Sequence, residues 1–131
     1  MERKILVVDD EISIRQLMYD ALSDQGYKVY LAENANDAIG IQNREKTEVI
    51  FLDLKLFGMN GIDLCRQIRR FHPVPVIYAM TGWAGLFEIE ECREAGFDDY
   101  FQKPLQLDTL FNSVDGAFEK IDRWYNRARR P

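Results

Sequence analysis

The chain has 131 residues, of which 47% are hydrophobic and 30% charged, and its formal net charge is −5. This composition is ordinary for one soluble globular domain, and the acidic balance argues against a nucleic-acid surface, except at the C-terminal end, where four arginines cluster. No apolar run approaches the ~20 residues of a membrane helix, and the first apolar segment is too short for a signal peptide. We therefore expect a cytoplasmic protein without membrane contact.

Short apolar segments predict five β-strands, and four of these strands run into polar residues. Runs of this length bounded by turn signals are typical of buried parallel strands. The strand at 28–32 alternates only weakly, which indicates an outer position. The other four are 5–8, before Asp9 and Asp10; 48–53, ending in Asp53; 76–80, before Thr81; and 99–102, before Lys103.

Helical patterns separate the strands. Apolar residues recur at helical spacing after the first strand until Gly26, and Asn34 or Asn36 can cap the second helix. The third helix is predicted to begin at Asn60-Gly61 and to end before His72-Pro73, and the fourth to span 84–95, closed by Gly96. Strands alternating with helices predict a parallel sheet built from βαβ units.

The last helix is the longest, with an apolar stripe of heptad-like spacing. A helix over 106–128 would be roughly 35 Å long, whereas strands span about 17–20 Å. We therefore expect the last turns, with Ile121, Trp124 and Tyr125, to project past the sheet. They could fold back, pair with a second copy or a partner, or lead into an output domain, and exposed aromatic residues beside arginines favour the last two. The stripe comprises Leu107, Phe111, Val114, Phe118, Ile121 and Tyr125.

The element order predicts an α/β fold of the (βα)5, flavodoxin-like type. Crossovers between parallel strands are almost always right-handed, so helices cover both faces of a doubly wound sheet. The economical strand order is 2-1-3-4-5, with a ligand crevice at the carboxyl ends of the first and third strands. We expect one domain over residues 1–121, with residues 122–131 as a basic extension of the last helix.

Three carboxylates, a hydroxyl and a lysine are thereby predicted to meet at one sheet edge. Clustered carboxylates repel each other, and a hard cation lowers their energy; Mg²⁺ suits oxygen ligands and phosphate best. One carboxylate beside a metal can act as a nucleophile toward phosphorus. The expected roles are metal ligation by Asp9 and Asp10, nucleophilic attack by Asp53, charge stabilisation by Lys103 and hydrogen bonding by the Thr81 hydroxyl.

Several segments occur in a characteristic order along the chain: Val8-Asp9-Asp10-Glu11, Asp53, Gly61, Met80-Thr81-Gly82, Ala95-Gly96-Phe97-Asp98-Asp99-Tyr100 and Lys103-Pro104. With these segments, the chain resembles the receiver domain of response regulators in two-component signalling over residues of about 3–121. The resemblance implies transfer of a phosphoryl group from a histidine kinase or a histidine phosphotransfer protein onto Asp53.

The resemblance also implies the parts played by individual residues. Mg²⁺ would be held by Asp10, Asp53 and the backbone carbonyl of Lys55, with Asp9 acting through water. The peptide bond before Pro104 would be cis. Tyr100 would be an aromatic switch that moves when Thr81 engages the phosphoryl group. Such a domain has no separate substrate and catalyses only its own phosphorylation and dephosphorylation, and it makes no nucleic-acid contact itself.

Two departures from the family pattern lie near the predicted acceptor. Phe57 stands where the family often has proline, which predicts a less rigid loop. Lys55 and Trp83 occupy the variable positions two residues after Asp53 and Thr81, which tune attack by water in the family. We expect the bulky Trp83 to slow hydrolysis of the phosphoryl group.

Two other functions share parts of this pattern. Haloacid-dehalogenase-type phosphatases have a second Asp two residues after the nucleophile as general acid, and Lys55 at that position cannot protonate a leaving group in the same way. A pseudo-receiver would bind partners without phosphorylation, and its usual mark is loss of an acidic-pocket residue, Thr81 or Lys103. None is lost here.

Overall fold

A computed structural model describes residues 2–82 and 86–129, without the side chains of residues 86 and 87. The elements in chain order are β1 (Lys4–Val8), α1 (Ile12–Asp24), β2 (Lys28–Ala32), α2 (Ala35–Glu45), β3 (Val49–Asp53), β4 (Lys55–Leu56), β5 (Met59–Asn60), α3 (Gly61–Phe71), β6 (Val76–Thr81), α4 (Leu86–Ala95), β7 (Asp99–Gln102) and α5 (Leu107–Ala128).

Five strands form one parallel sheet in the order β2-β1-β3-β6-β7. The predicted order 2-1-3-4-5 is thus confirmed, with β6 and β7 as the fourth and fifth sheet strands. The small strands β4 and β5 form a separate antiparallel hairpin between β3 and α3, with Lys55 opposite Asn60. No periodicity in the sequence predicts this hairpin, because each of its strands has two residues.

Two apolar clusters cover the two faces of the sheet. Successive residues of a strand point to opposite faces, so Leu6 and Val8 of β1 belong to the cluster under α2, α3 and α4, whereas Ile5 and Val7 belong to the cluster under α1 and α5. Every residue of β3 is buried, as expected for the central strand. The predicted helical cover on both faces is confirmed.

Helix α5 stays in contact with the core further along its length than the sequence indicates. Its buried residues are Leu110, Val114, Ala117, Phe118 and Ile121. Ile121 is only 4% exposed, so the expectation that it projects past the sheet is wrong, whereas Trp124 and Tyr125 are 64% and 49% exposed. The physical reason is that the helix packs along the sheet face as far as its amino-terminal edge, and Ile121 belongs to the same apolar cluster as Val49 and Val76, the first residues of β3 and β6. The helix is continuous to Ala128 and does not fold back.

Within residues 2–82 and 86–129, none of the helices combines the length and the apolar character that crossing a bilayer requires.

The contrast between Ile121 and Trp124 can be measured. We expect Ile121→Ala to lower the free energy of unfolding by about 2–5 kcal/mol, because it removes buried methyl groups and leaves a cavity. Trp124→Ala should change it by no more than about 0.5 kcal/mol, since the indole is largely exposed. Urea unfolding followed by circular dichroism gives both values. Equal losses in the two variants would contradict the described packing of α5.

Candidate functional site

Four polar side chains meet where the sheet strands end. Asp9 directly follows β1, Asp53 and Thr81 are the last residues of β3 and β6, and Lys103 directly follows β7. The carboxyl ends of parallel strands share one edge of the sheet, and ligands of such folds bind at that edge. Asp9, Asp53 and Thr81 are all buried. The structure therefore brings these predicted residues to one place.

The ammonium group of Lys103 lies between two of the carboxylates. Its Nζ is 2.7 Å from Asp9 Oδ2 and 3.1 Å from Asp53 Oδ2, and the more exposed Glu11 follows at 3.6 Å. The Lys103 N–H donates to the Thr81 carbonyl oxygen (2.8 Å), and the peptide bond to Pro104 is cis, as the resemblance implies. A buried pair of carboxylates requires such a cation, because unpaired buried charge is costly.

Backbone groups hold the other carboxylate oxygens. The Glu11 N–H donates to Asp9 Oδ1 (2.9 Å), and the Lys55 N–H donates to Asp53 Oδ1 (3.1 Å). Asp53 is thus oriented from both sides, by a backbone N–H on one oxygen and by Lys103 on the other. This geometry fixes the orientation of the Asp53 carboxylate at the end of β3.

A residue that the sequence interpretation missed is Arg15, in the first turns of α1. Its guanidinium donates to the Asp9 carbonyl oxygen (2.7 Å) and lies 3.8 Å from a carboxylate oxygen of Glu33. It therefore braces the turn after β1. The only signal in the sequence is its place five residues after Asp10, since a bond to a backbone carbonyl leaves no partner residue type to recognise.

Asp9, Asp10 and Asp53 form a group able to hold a cation. One carboxylate oxygen from each lies within 4.8 Å of the others, and Asp10 is exposed while Asp9 and Asp53 are buried. An all-oxygen set with one solvent-facing ligand suits Mg²⁺, which keeps several water molecules or phosphate oxygens in its shell. Lys55 adjoins the group through its N–H; the role of its carbonyl stays a prediction.

The ionisation of the site follows from this arrangement. Burial raises the pKa of Asp53, as does the neighbouring Asp9 carboxylate, and together they outweigh the opposite effects of the Lys55 N–H and Lys103. Burial lowers the pKa of Lys103, but its hydrogen bonds to Asp9 and Asp53 outweigh burial and leave that pKa raised. Lys103 therefore remains a cation at neutral pH, as stabilisation of a phosphoryl group requires.

Gly61, the first residue of α3, lies against the backbone of Asp53. A Cβ atom at Gly61 would overlap the Asp53 carbonyl oxygen and lie 2.7 Å from Leu54 Cα, and the Gly61 N–H donates to the Leu54 carbonyl oxygen (2.8 Å). Only a residue without a side chain fits at this distance. The position thus sets how closely α3 approaches the end of β3.

The remaining predicted residues lie further out. Tyr100 is 40% exposed on the edge strand β7 and pairs in register with Ala79, two residues before the pair of Thr81 and Gln102. Phe57 is 89% exposed in the turn between β4 and β5. Trp83 lies outside the residues that the structure describes.

Residues 5–115 match the family model described as the response regulator receiver domain. The chain belongs to this family. Among curated relatives, it is 32% identical over 114 residues to the sporulation initiation phosphotransferase F of Bacillus subtilis (strain 168), a match that covers 87% of this chain and 92% of that protein. The resemblance inferred from the sequence motifs is thereby confirmed.

Solved structures agree with this assignment. The CheY-like response regulator receiver domain protein of Methanospirillum hungatei JF-1 is 27% identical, with a TM-score of 0.88, and the match covers 97% of this chain and 99% of that one. NtrX of Brucella abortus is 29% identical, with a TM-score of 0.89, but the match covers 98% of this chain and 30% of NtrX. This chain is therefore a receiver domain of two-component phosphorelay signalling, with the flavodoxin-like fold.

The raised pKa of Asp53 predicts a pH-dependent effect of its replacement. Because folding raises this pKa, the folded state binds the proton more tightly than the unfolded chain, and the charged carboxylate is disfavoured above the folded-state pKa. In EDTA we expect Asp53→Asn to raise the free energy of unfolding at pH 7, and this gain should shrink as the pH falls through the pKa of Asp53. Denaturant titrations at a series of pH values measure it.

An exposed carboxylate provides the control for that series. Asp20→Asn, on the outer face of α1, should change the free energy of unfolding by no more than about 0.5 kcal/mol at any pH tested. A gain in Asp53→Asn that is constant with pH would contradict the assigned cause.

The close approach of α3 to Asp53 predicts a cost for any side chain at position 61. We expect Gly61→Ala to lower the free energy of unfolding by about 1–3 kcal/mol, because backbone atoms must shift to admit the methyl group. Gly40→Ala in α2 is the matched control: nothing lies within 4 Å of its Cβ, so it should be neutral or stabilise by up to about 1 kcal/mol. Thermal unfolding of the two variants gives the comparison, and a neutral Gly61→Ala would contradict the described contact.

Proposed function

We propose that Asp53 is the phosphoacceptor of this receiver domain and takes a phosphoryl group from a histidine kinase or a histidine phosphotransfer protein. The observation that carries the proposal is the position of Lys103 Nζ between the carboxylates of Asp9 and Asp53, at 2.7 and 3.1 Å. A carboxylate oxygen of Asp53 forms the new O–P bond, the N–P bond of the phosphohistidine breaks, and its electron pair returns to the imidazole.

The protein groups around Asp53 suit this transfer. Lys103 keeps its positive charge and is placed to pair with a phosphoryl oxygen, and the hydroxyl of Thr81 adds a hydrogen-bond donor from the adjacent strand. The Lys55 N–H, which now binds Asp53 Oδ1, fixes the rotamer of the nucleophile. Catalysis of this kind needs positioning and charge compensation more than proton transfer.

The acidic group fits a divalent cation as cofactor. When bound, Mg²⁺ would be held by Asp10, Asp53 and the backbone carbonyl of Lys55, with Asp9 acting through water, and it would neutralise charge on the phosphoryl oxygens. Support comes from the close spacing of the three carboxylates.

The same site is proposed to switch the output surface. Phosphorylation adds charge and acceptor oxygens that favour one arrangement of a bistable element. We assign this element to Thr81 and the segment after it, together with Tyr100. The hydrogen bond from the Lys103 N–H to the Thr81 carbonyl supports this, because it joins the ends of β6 and β7.

The domain has no separate substrate in this proposal and catalyses only its own phosphorylation and dephosphorylation. The receiver unit is proposed to comprise residues 1–121, with 122–131 as an extension, since Ile121 is the last buried residue of α5.

A homodimer or output-domain contact through α5 and a cytoplasmic location stay predictions. The pseudo-receiver gains no support, as Asp53, Thr81 and Lys103 are all present at one edge.

Intact mass after incubation with acetyl phosphate tests the proposal. We expect the wild type to gain the mass of one phosphoryl group with Mg²⁺ but not with EDTA, and Asp53→Asn to gain none. Lys103→Ala should slow the reaction by about 10²–10³-fold, as loss of a charge-stabilising donor does elsewhere. Asp63→Asn, an exposed carboxylate early in α3, is the matched control and should react like the wild type.

Two results would contradict the proposal. An adduct that persists in Asp53→Asn would place the acceptor elsewhere. No adduct on the wild type, with tryptophan fluorescence unchanged by Mg²⁺, would instead favour the pseudo-receiver. The decay of the adduct in Trp83→Ala tests whether Trp83 slows hydrolysis, which requires faster decay in that variant.

A further inference from the structure

A groove of about 430 Å³ lies at the amino-terminal edge of the sheet. Strand β6 runs from Val76 at this groove to Thr81 at the acidic site, so the two features occupy opposite edges of the molecule. One wall is the end of α5, with Ile121, Trp124 and Tyr125, and the other is the segment 73–75 that leads into β6. The phosphoacceptor chemistry uses none of these residues.

The groove is apolar and open to solvent. Val74 is 60% exposed, and the aromatic side chains of Trp124 and Tyr125 are 64% and 49% exposed. Phe71, which lines a second cleft on the other side of Tyr125, is 75% exposed. Contiguous exposed apolar surface of this kind marks interaction sites, and tryptophan and tyrosine are the residues most enriched where binding energy concentrates.

Arg69 fixes one wall of the groove. Its guanidinium donates to the carbonyl oxygens of Gly96, Pro73 and Pro75, at 2.9, 2.9 and 2.6 Å, and to Asp98 Oδ2 at 2.9 Å. One side chain therefore joins the end of α3, the segment before β6 and the loop before β7. The wall is preformed rather than assembled on binding.

The few charged side chains in the groove lining have a net positive charge. Asp98 is the one carboxylate in the described lining, and it already pairs with Arg69 and with Lys120, whose Nζ is 3.6 Å away. Asp98 also accepts a hydrogen bond from the Ile77 N–H (2.8 Å). Two cations and one fully engaged carboxylate leave the lining with a net positive charge.

One further cation flanks the groove. Lys120, Trp124 and Arg127 follow one another at i, i+4 and i+7, and therefore lie along one side of α5. Ile121, Tyr125 and Ala128 form the neighbouring row. The guanidinium group of Arg127 forms no ion pair within the part of the chain that the structure describes, so its charge is open to a partner. The groove and its flank therefore carry a net positive charge although the whole chain carries −5.

We propose that this groove binds an acidic amphipathic segment of a partner protein. Apolar side chains of the segment fill the groove beside Trp124 and Tyr125, and its carboxylates pair with Lys120 and Arg127, in the mode by which a helix lies in a groove. A membrane would require apolar side chains on a convex face, whereas these line a concave one. The mostly apolar lining of the groove fits apolar side chains of a peptide better than the phosphate backbone, through which proteins make most of their contacts with nucleic acid.

The proposal goes beyond the phosphoacceptor role and does not depend on it. The groove lies at the edge of the sheet opposite Asp53, so Asp53→Asn should bind the same segment. Failure of phosphorylation and failure of peptide binding are therefore separate results.

Selection from a random peptide library displayed on phage tests the proposal. The library is selected on the wild type and counter-selected on Arg127→Glu. We expect the enriched peptides to combine apolar residues at helical spacing with Asp and Glu. Fluorescence anisotropy of the best synthetic peptide should show binding that weakens with salt. Trp124→Ala and Arg127→Glu should each weaken it by about tenfold or more.

Matched controls distinguish binding in the groove from nonspecific binding elsewhere on the surface. Tyr19→Ala removes an exposed aromatic ring on α1, and Arg66→Glu reverses an exposed charge on α3; both should bind like the wild type. Four results would overturn the proposal: no enrichment above the counter-selected variant; enrichment of basic peptides; wild-type binding to anionic vesicles or single-stranded DNA in place of peptide; or a dimer in sedimentation that Trp124→Ala abolishes.

Discussion

The structure depends on compensating two buried carboxylates with one lysine that reaches them across the sheet. Asp9 follows β1 and Asp53 ends β3, whereas Lys103 follows β7, three strand positions from β1. At a strand spacing of about 4.8 Å this separation is roughly 14 Å, which the long side chain and the loop after β7 must cover together. The strand order, the parallel direction and the short edge strand β7 all serve to bring this cation over Thr81 to the acidic crevice.

Most of this arrangement could be predicted, because each strand is recognisable from the residues of its own segment. Each run of apolar residues stops at the polar residue that the site uses, and parallel topology brings those ends together. The features that the sequence did not predict correctly have a common physical origin. The β4–β5 hairpin is too short for a periodic pattern, Arg15 binds a backbone carbonyl, and Ile121 is buried against strands far away in sequence. Each depends on a tertiary neighbour and not on the segment itself.

The acidic site and the groove differ in charge. At the carboxyl ends of the strands the acidic residues dominate, and Lys103 pairs with two of them; in the groove at the amino ends the charged lining residues are Arg69, Lys120 and Asp98, with a net positive charge. Strands of five or six residues separate these environments. One small domain can thus present two chemically distinct surfaces, and the continuous helix α5 extends only the basic one.

Arg69 has a consequence for the rate at which a partner binds in the groove. Because its four hydrogen bonds hold the groove wall in place, no loop has to rearrange before contact, and little ordering entropy is lost on association. The open charges of α5 attract an anionic partner over a distance of about one Debye length. Encounter would then be limited by diffusion and orientation, and differences among partners would appear chiefly in how long each complex lasts.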